Sequence, residues 1–321
     1  MPEQTRAILL HFSEDGRILG PHTTHAGADM RFDIAFVGHY TKDTIVYPHV
    51  TRVVDGGAFN YGAQVAARSG LRTAVVTRLA PEDRHVVAEL ERLGVRVFAR
   101  ETPASTCLRL IYPTENLDDR TIELLSSAGP FTPEEVAGLD ARAVAIGASV
   151  RGEVPLDVVK ALAAQAEILA LDVQGFLRVA RDGVLTSDGW PGKEEVLPLV
   201  GVLKTDAVEA GLLTGKSDRY EAARRLAAWG PREVLLTHSG GVLVCRDGAV
   251  DEAPFVAAEV RGRSGRGDTC TAAYLSRRLT ASPREAVTWA AAVTSLKLEA
   301  EGPFRRPIAE AQALYEKLRK A

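Results

Sequence analysis

Short apolar runs alternate with amphipathic segments along most of the chain. FDIAFVG, from residue 32, predicts a buried strand, and AFNYGAQVAARSG predicts a helix that ends at Gly70. The strand RTAVVTRL and a helix with Pro81 in its first turn follow. Four further runs, RAVAIG, AEILALDV, VGVLKT and EVLLTH, are separated by helical or longer segments. This alternation predicts a mostly parallel sheet covered by helices on both faces.

Two stretches break the alternation. Residues 95–125 contain three consecutive strand-like runs, VRVFAR, STCLRLIYP and RTIELLS, which is typical of antiparallel pairing. Residues 1–31 are polar with one short apolar run and predict an N-terminal arm, either a peripheral strand with a loop or a mobile segment. The remainder, residues 32–321, predicts one α/β domain with a small β-rich insertion. Its last part contains two strands, GVLVCRD and PFVAAEV, and then three helices.

Composition excludes several classes of protein. The 321 residues carry a net charge of −3 without a basic tail, which gives nucleic-acid binding no electrostatic support. No apolar run approaches the roughly 18 residues that a membrane span needs, and the N-terminal run is too short for a secretory signal. Cys107, Cys245 and Cys270 lie far apart, with no zinc-ligand spacing. We therefore expect a cytoplasmic protein.

The segment RGRSGRGDTCTAAYL places Gly265, Arg266 and Gly267 directly before Asp268, where a helix is predicted to begin. The first N–H groups of a helix have no partner within it and carry partial positive charge. Glycines allow an anion to approach them closely, so this junction predicts a phosphate cradle. Asp268 could simply cap the helix. A carboxylate beside an anion site also suits a base that accepts a hydroxyl proton during phosphoryl transfer.

A second glycine motif has a structural explanation. AGLLTGKS, residues 210–217, resembles a P-loop, but its glycines are too close together and the segment ends a helix instead of beginning one. We therefore interpret Gly215 as a helix C-cap.

Five motifs in a fixed order give the chain its resemblance to a known family. They are GHYTKD, GGAFNYG, VLKTDAVE, LLTHSGG and SGRGD, and the resemblance that they carry covers residues 32 to about 305. Each is weak alone, but in this order and spacing they make the chain similar to the ribokinase-like (PfkB) carbohydrate kinases. The resemblance implies a doubly wound, mostly parallel sheet flanked by helices. It also implies a small β-sheet lid, with strands from about 41–54 and 95–125.

The resemblance also implies roles for individual residues. Asp268 would be the base, and the amides of Gly265, Arg266 and Gly267 would hold the γ-phosphate of ATP. The substrate-binding residues would be Asp43, Gly57, Asn60 and Gln174. The nucleotide-binding residues would be Lys204, Thr237, Ser239 and Gly240. The residues that position Mg²⁺ would be Asp206 and Glu209.

The chain departs from the family pattern at several positions. Arg266 replaces an alanine, and Asp206 replaces an asparagine while keeping an oxygen ligand. Gly262 replaces an aspartate that helps to form a monovalent-cation site in many relatives, which puts potassium activation in doubt. Ser239 replaces a glycine in a turn that is also shorter.

The acceptor is a further expectation. DVQGFLR, residues 172–178, together with GHYTKD is similar to the inositol-kinase-like branch. An Asp, an Asn and a Gln suit the hydroxyls of a neutral polyol or sugar, and Arg109 and Arg120 are not obviously clustered for a phosphorylated one. A nucleoside is the next choice, with base-stacking candidates at Tyr40, Tyr47 and Phe59.

Three alternatives to a polyol kinase follow from the same residues. They are a nucleoside kinase, a catalytically silent relative that binds a sugar or nucleotide, and a dinucleotide-dependent oxidoreductase. No early segment has the GxGxxG spacing that the oxidoreductase needs. Lids of this family sometimes pair between subunits, so a homodimer is compatible with the resemblance.

Overall fold

The computed structural model describes residues 11–12, 18–19, 31–114 and 119–320. Its strands are, in chain order, β1 (His11–Phe12), β2 (Ile18–Leu19), β3 (Phe32–Val37), β4 (Thr41–Val46), β5 (Thr51–Gly56), β6 (Thr73–Leu79), β7 (Arg96–Glu101), β8 (Thr106–Ile111), β9 (Thr121–Ser126), β10 (Ala141–Ile146), β11 (Ile168–Asp172), β12 (Arg178–Arg181), β13 (Val184–Ser187), β14 (Val202–Asp206), β15 (Glu233–His238), β16 (Gly241–Arg246) and β17 (Ala249–Pro254).

The α-helices fill the segments between these strands and the C-terminal part of the chain. They are α1 (Ala58–Arg68), α2 (His85–Arg92), α3 (Pro133–Val136), α4 (Leu156–Gln165), α5 (Gln174–Leu177), α6 (Lys193–Val196), α7 (Ala207–Thr214), α8 (Arg219–Ala227), α9 (Arg266–Arg278), α10 (Pro283–Leu298) and α11 (Ile308–Leu318). No helix of the described residues is both long and apolar enough to span a membrane.

A large sheet forms the centre of the molecule, with the strand order β17-β16-β15-β14-β11-β10-β3-β6-β7. The strands from β15 to β7 pair in parallel, and β16 and β17 are antiparallel additions at one edge. Alternate residues of β3 belong to two hydrophobic cores on opposite faces of the large sheet. Ile34 and Phe36 belong to the core that also contains residues of α1, α2, α9, α10 and α11. Ala35 and Val37 belong to the core that also contains residues of α3, α4, α6 and α8. The doubly wound α/β fold is therefore confirmed.

A second, smaller sheet has the order β12-β13-β9-β8-β4-β5. Its strands are antiparallel to their neighbours except that β4 and β8 are parallel. Residues 41–54 and the strand-like runs of 106–126 lie here, as expected. The hairpin β12–β13 belongs to this sheet as well, although the sequence predicted only a connecting segment there.

The run at residues 95–101 is a correction to the expected small sheet. It forms β7, which pairs in parallel with β6 at an edge of the large sheet. The reason is helix α2, which returns the chain to the same sheet and makes β6-α2-β7 an ordinary βαβ unit. PFVAAEV is also corrected, because the last strand is Ala249–Pro254 and most of PFVAAEV is irregular.

Two further expectations concern chain segments outside the central sheets. Helix α7 ends at Thr214, and Gly215 caps it in the left-handed region with φ 69°, which confirms the C-cap interpretation. Of the predicted arm, the structure describes the antiparallel pair β1–β2 and residue 31. The remaining residues of 1–31 lie outside the described part of the chain.

Candidate active site

A polar cleft lies between the carboxyl edge of the large sheet and the small sheet. It measures about 640 Å³, part of it open to solvent. The strand ends of β10 and β11 form its floor, and β4, β8 and β9 of the small sheet form its roof. Five predicted site residues line it: Asp43, Gly57, Gln174, Gly265 and Asp268.

Asp268 lies in the first turn of α9 and faces this cleft. Gly265 precedes the helix in the left-handed region (φ 72°), and a Cβ added to it would lie 2.2 Å from the ring of Tyr61. Burial raises the pKa of Asp268 to about 6, with a further contribution from Asp172, while Lys204 counteracts the shift. The carboxylate is therefore mainly ionised at neutral pH and basic enough to accept a proton.

The amides before Asp268 are not equivalent. The Arg266 N–H donates to the Arg263 carbonyl at 3.1 Å, so this amide closes a turn. The amides of Gly265 and Gly267 make no hydrogen bond to another described residue. Of the three predicted anion donors, only Gly265 and Gly267 thus keep an unengaged N–H in this part of the chain.

Lys204 lies beneath Gly267, not at a solvated strand end. Its side chain is 4% exposed, and Nζ lies 2.9 Å from Asp172 Oδ2. A Cβ added to Gly267 would lie 2.7 Å from Nζ. Burial opposes the charge, but the carboxylates of Asp172 and Glu209 raise the pKa of Lys204 above its ordinary value. A permanent cation therefore stands beside Asp268.

Asp206 and Glu209, the predicted Mg²⁺ residues, form a reciprocal capping box. Asp206 Oδ1 accepts from the amides of Val208 and Glu209, and Glu209 Oε2 accepts from the Asp206 amide, all at 2.9 Å. Burial raises the pKa of Glu209 to about 7. The described residues contain no group of three or more His, Cys, Asp or Glu side chains that could hold a metal ion. Each carboxylate keeps one oxygen outside the capping box, and this donor set fits Mg²⁺, which binds one or two carboxylates together with waters and phosphates.

Asp43 and Asn60 are buried residues with unused acceptor atoms. Oδ1 of Asp43 and Oδ1 of Asn60 have no hydrogen-bond partner among the described residues. Burial raises the pKa of Asp43 to about 6. Asn60 Nδ2 donates to the Asp55 carbonyl at 3.1 Å, and Asn60 lies outside the cleft lining. Gly57 has φ 95°, and an added Cβ would lie 2.4 Å from the His39 carbonyl oxygen.

The remaining predicted nucleotide residues lie outside the cleft lining. Thr237 is buried, and its hydroxyl donates to the Thr205 carbonyl at 3.4 Å. Ser239 and Gly240 are exposed in the turn between β15 and β16. Their binding roles stay predictions.

Several cleft residues were absent from the predicted set. Arg178, the first residue of the β12–β13 hairpin, lines the cleft together with Arg120 and Tyr61. Burial lowers the pKa of Arg178, opposed by the carboxylates of Glu209 and Asp172. The motif DVQGFLR contains Arg178, so the sequence held a signal for it. The base-stacking candidates Tyr40, Tyr47 and Phe59 do not line the cleft.

Comparisons with known proteins found kinases that are similar to this chain. No family model matches the chain. A pyrophosphate-dependent kinase in the ribokinase family, solved with a pyrophosphate analog and myo-inositol, is 35% identical, with TM-score 0.81 over 87% of this chain and 99% of that one. A cytidine kinase of Thermococcus kodakarensis is 25% identical over 259 residues, 76% of this chain and 87% of its own length. Ribokinase of Arabidopsis thaliana, solved with ribose and ATP, shares the fold at 21% identity, with TM-score 0.67 over 89% and 99% of the two chains.

The degree of similarity to the pyrophosphate-dependent kinase, over nearly its whole length, is sufficient to assign the family. Its relatives are kinases of sugars, polyols or nucleosides, so the chain is a phosphotransferase with an alcohol group as acceptor. The chain belongs to the ribokinase family of kinases.

Proposed function

We propose that the protein transfers a phosphoryl group to a hydroxyl of a small cyclic polyol of the myo-inositol type, with Asp268 as the general base. The observation that carries this proposal is the position of Asp268. Its carboxylate faces the same cleft as Asp43, whose Oδ1 lacks a partner among the described residues, and as Gln174. A base and hydroxyl-binding groups therefore converge on one space.

The chemistry follows from the charges around Asp268. The acceptor hydroxyl gives its proton to the carboxylate while its oxygen bonds to the arriving phosphorus, and the bond to the donor's leaving oxygen breaks. The α9 amides and the cations of Lys204 and Arg178 stabilise the charge on the phosphoryl oxygens. Mg²⁺, held by Asp206 and Glu209, would neutralise donor phosphate charge.

A neutral polyol suits the acceptor side better than a nucleoside. Tyr61 is the one aromatic residue among the described residues of the cleft lining, and the predicted base-stacking residues lie elsewhere. Nucleobases are usually held by stacking on aromatic or flat apolar groups. The similarity to a cytidine kinase keeps a nucleoside as the second candidate acceptor.

The phosphoryl donor is pyrophosphate or ATP, and we favour pyrophosphate. The similarity to a pyrophosphate-dependent kinase supports it. Lys204 and Arg178 act as cations on Asp268 and suit an inorganic anion. Of the two, Arg178 lines the cleft, and none of the predicted nucleotide residues, Lys204, Thr237, Ser239 and Gly240, does so. ATP with Mg²⁺ is the donor that the sequence motifs predict.

A matrix of donors and acceptors tests these assignments. Pyrophosphate and ATP are each combined with myo-inositol, ribose, fructose, adenosine and cytidine, and the phosphorylated product is detected by mass spectrometry. We expect myo-inositol phosphate with pyrophosphate as donor. Product from cytidine alone would overturn the polyol assignment, and product with ATP alone would overturn the donor. No product from any pair would favour the catalytically silent relative.

The cytoplasmic location and the homodimer remain predictions.

A further inference from the structure

Lys297 is a buried lysine whose partners are main-chain oxygens. It lies in the last turn of α10 and is 2% exposed. Its ammonium donates to the Gly262 carbonyl at 2.8 Å and also to the Ser264 carbonyl. Its Nζ lies 5.6 Å from the centre of the Tyr61 ring. Among the described residues, no carboxylate forms an ion pair with it, and Asp268 and Glu301 act on its charge from a longer distance.

The two carbonyls belong to the loop from which α9 begins. The amides of Arg261 and Gly262 donate to the Leu298 carbonyl at 2.8 and 3.2 Å. Gly262 packs closely against the residues that follow α10, since a Cβ added to Gly262 would lie 2.4 Å from the Ala300 carbonyl oxygen. The end of α10 therefore contacts this loop through the Leu298 carbonyl, which accepts from its amides, and through the Lys297 ammonium, which donates to its carbonyls.

We propose that Lys297 is a positioning residue that supplies, from within the chain, the monovalent cation that orders the loop and aims the α9 amides at the transferred phosphoryl group. This proposal rests on the proposed function. Main-chain carbonyl oxygens are the ligands that potassium binds in proteins, and an ammonium group can take the same place. A free cation that bound the Gly262 and Ser264 carbonyls would be repelled by the Lys297 ammonium, which already occupies both oxygens. The protein therefore needs no added potassium.

The neighbours of Lys297 define how its charge responds to pH. Burial lowers its pKa to about 8, Asp268 and Glu301 oppose the shift, and Arg266 adds to it. The Tyr61 ring faces it from α1. Deprotonation above this value removes the charge that the carbonyls bind, so turnover should decline on the alkaline side.

The first test compares monovalent cations with the unmodified protein. Turnover is measured with potassium, sodium or tetramethylammonium as the only added monovalent cation, at constant ionic strength. We expect rates that agree within about twofold. Activation by potassium of about fivefold or more would overturn the proposal, because a cation site would then be incomplete without it.

The second test removes the ammonium group and offers a replacement. Lys297→Ala should lower kcat by about 100-fold or more, a loss comparable to that of an anion-hole donor, with the acceptor KM changed less than about threefold. Methylammonium should restore at least about a third of the lost activity, and tetramethylammonium, which is too large, should not. Lys297→Met provides a second variant if the alanine variant fails to fold. Lys160→Met, an exposed lysine paired with Glu195 at 3.7 Å, is the matched control and should behave as the parent.

A binding measurement separates this proposal from the proposed function. Calorimetric titration with pyrophosphate needs no turnover, so it decides even if no acceptor is phosphorylated. We expect Lys297→Ala to bind pyrophosphate at least about tenfold more weakly, with recovery in methylammonium but not in tetramethylammonium. The role of Lys297 would be overturned if Lys297→Ala bound pyrophosphate as tightly as the parent. It would also be overturned if the affinity were weaker and methylammonium did not restore it.

Discussion

The ammonium of Lys204 lies 2.9 Å from the carboxylate of Asp172, and the two residues are direct partners on the neighbouring strands β14 and β11. The parallel pairing of these strands places the two side chains together at the carboxyl edge of the large sheet, where the α9 N-terminus also lies. The pair holds a cation against Gly267 without exposing it to solvent. Asp172 thereby positions Lys204 and also raises the pKa of Asp268.

Gly267→Ala should impair turnover through Lys204. An added Cβ would lie 2.7 Å from Lys204 Nζ, so either the lysine or the first turn of α9 must shift. Because a small misplacement of catalytic groups can cost on the order of 100-fold, we expect kcat to fall about 10- to 100-fold with the fold retained. Steady-state kinetics and far-UV circular dichroism measure both properties. Gly189→Ala, where an added Cβ meets no atom within 4 Å, is the control. Equal kcat values for the two variants would contradict this prediction.

Asp268→Asn should abolish most turnover yet stabilise the protein at alkaline pH. Loss of a general base typically costs about 10²- to 10⁴-fold in rate. The native pKa of Asp268, about 6, lies above the ordinary value of 3.8. The native state therefore binds this proton more tightly than the unfolded state, and the ionised carboxylate destabilises the fold above pH 6.

The stability part of this prediction has its own internal control. At pH 8 the asparagine variant should gain on the order of 1–3 kcal/mol in free energy of unfolding, following the pKa shift. The gain should shrink as the pH falls through about 6, because the native aspartate then becomes protonated. Urea unfolding at pH 8 and pH 5 measures it. A variant that is less stable than the parent at pH 8 would show that the ionised Asp268 is favoured by the fold.

The pH dependence of kcat/KM should have an acidic limb near the pKa of Asp268, about 6. Activity falls below this value because the protonated carboxyl cannot accept the hydroxyl proton. Asp172→Asn should move the limb to lower pH, since the negative charge of Asp172 raises the pKa of Asp268. The pKa of Asp43 is also about 6, so the pH profile of Asp43→Asn is measured as well. This variant should keep the acidic limb, because Asp268 is still present. A limb that stays in place in Asp172→Asn would exclude Asp268 as its source.

Asp43→Asn should weaken acceptor binding more than it slows the chemical step. Oδ1 of Asp43 is buried without a partner among the described residues and lines the cleft. Since a hydrogen bond to a charged group contributes about 1.5–3 kcal/mol, we expect the acceptor KM to rise about 10- to 100-fold. Asp33→Asn is the control, because Asp33 lies at the amino end of β3, does not line the cleft and pairs with Arg72. A change in kcat with an unchanged KM would indicate a catalytic role instead.

The sequence predicted the parts of the site that depend on local signals. Glycines before a helix indicate an anion-binding N-terminus, and the structure places Gly265 and Asp268 of this junction in the cleft lining. Apolar runs with glycine punctuation predicted the parallel sheet. The capping box of Asp206 and Glu209 was not predicted, although the spacing of three residues that it needs is present in the sequence.

The rest depends on contacts between distant segments, which local patterns do not encode. Strand β7 looks like any short apolar run, and only its pairing with β6 assigns it to the large sheet. Arg178 reaches the cleft because β12–β13 joins the small sheet. Lys297 reads as an ordinary charged residue near a helix end, and its burial follows from the 262–264 loop packing over it.

The small sheet is assembled from three interior excursions of the chain, which contribute β4 and β5, then β8 and β9, then β12 and β13. Each excursion leaves the large sheet and returns to it, so no single cut in the chain releases the small sheet as a fragment. Limited proteolysis should therefore yield nicked but associated species before it yields a separable piece. Transplanting acceptor specificity from another kinase would accordingly require exchanging several separate segments at once, because no one contiguous stretch carries the roof of the cleft.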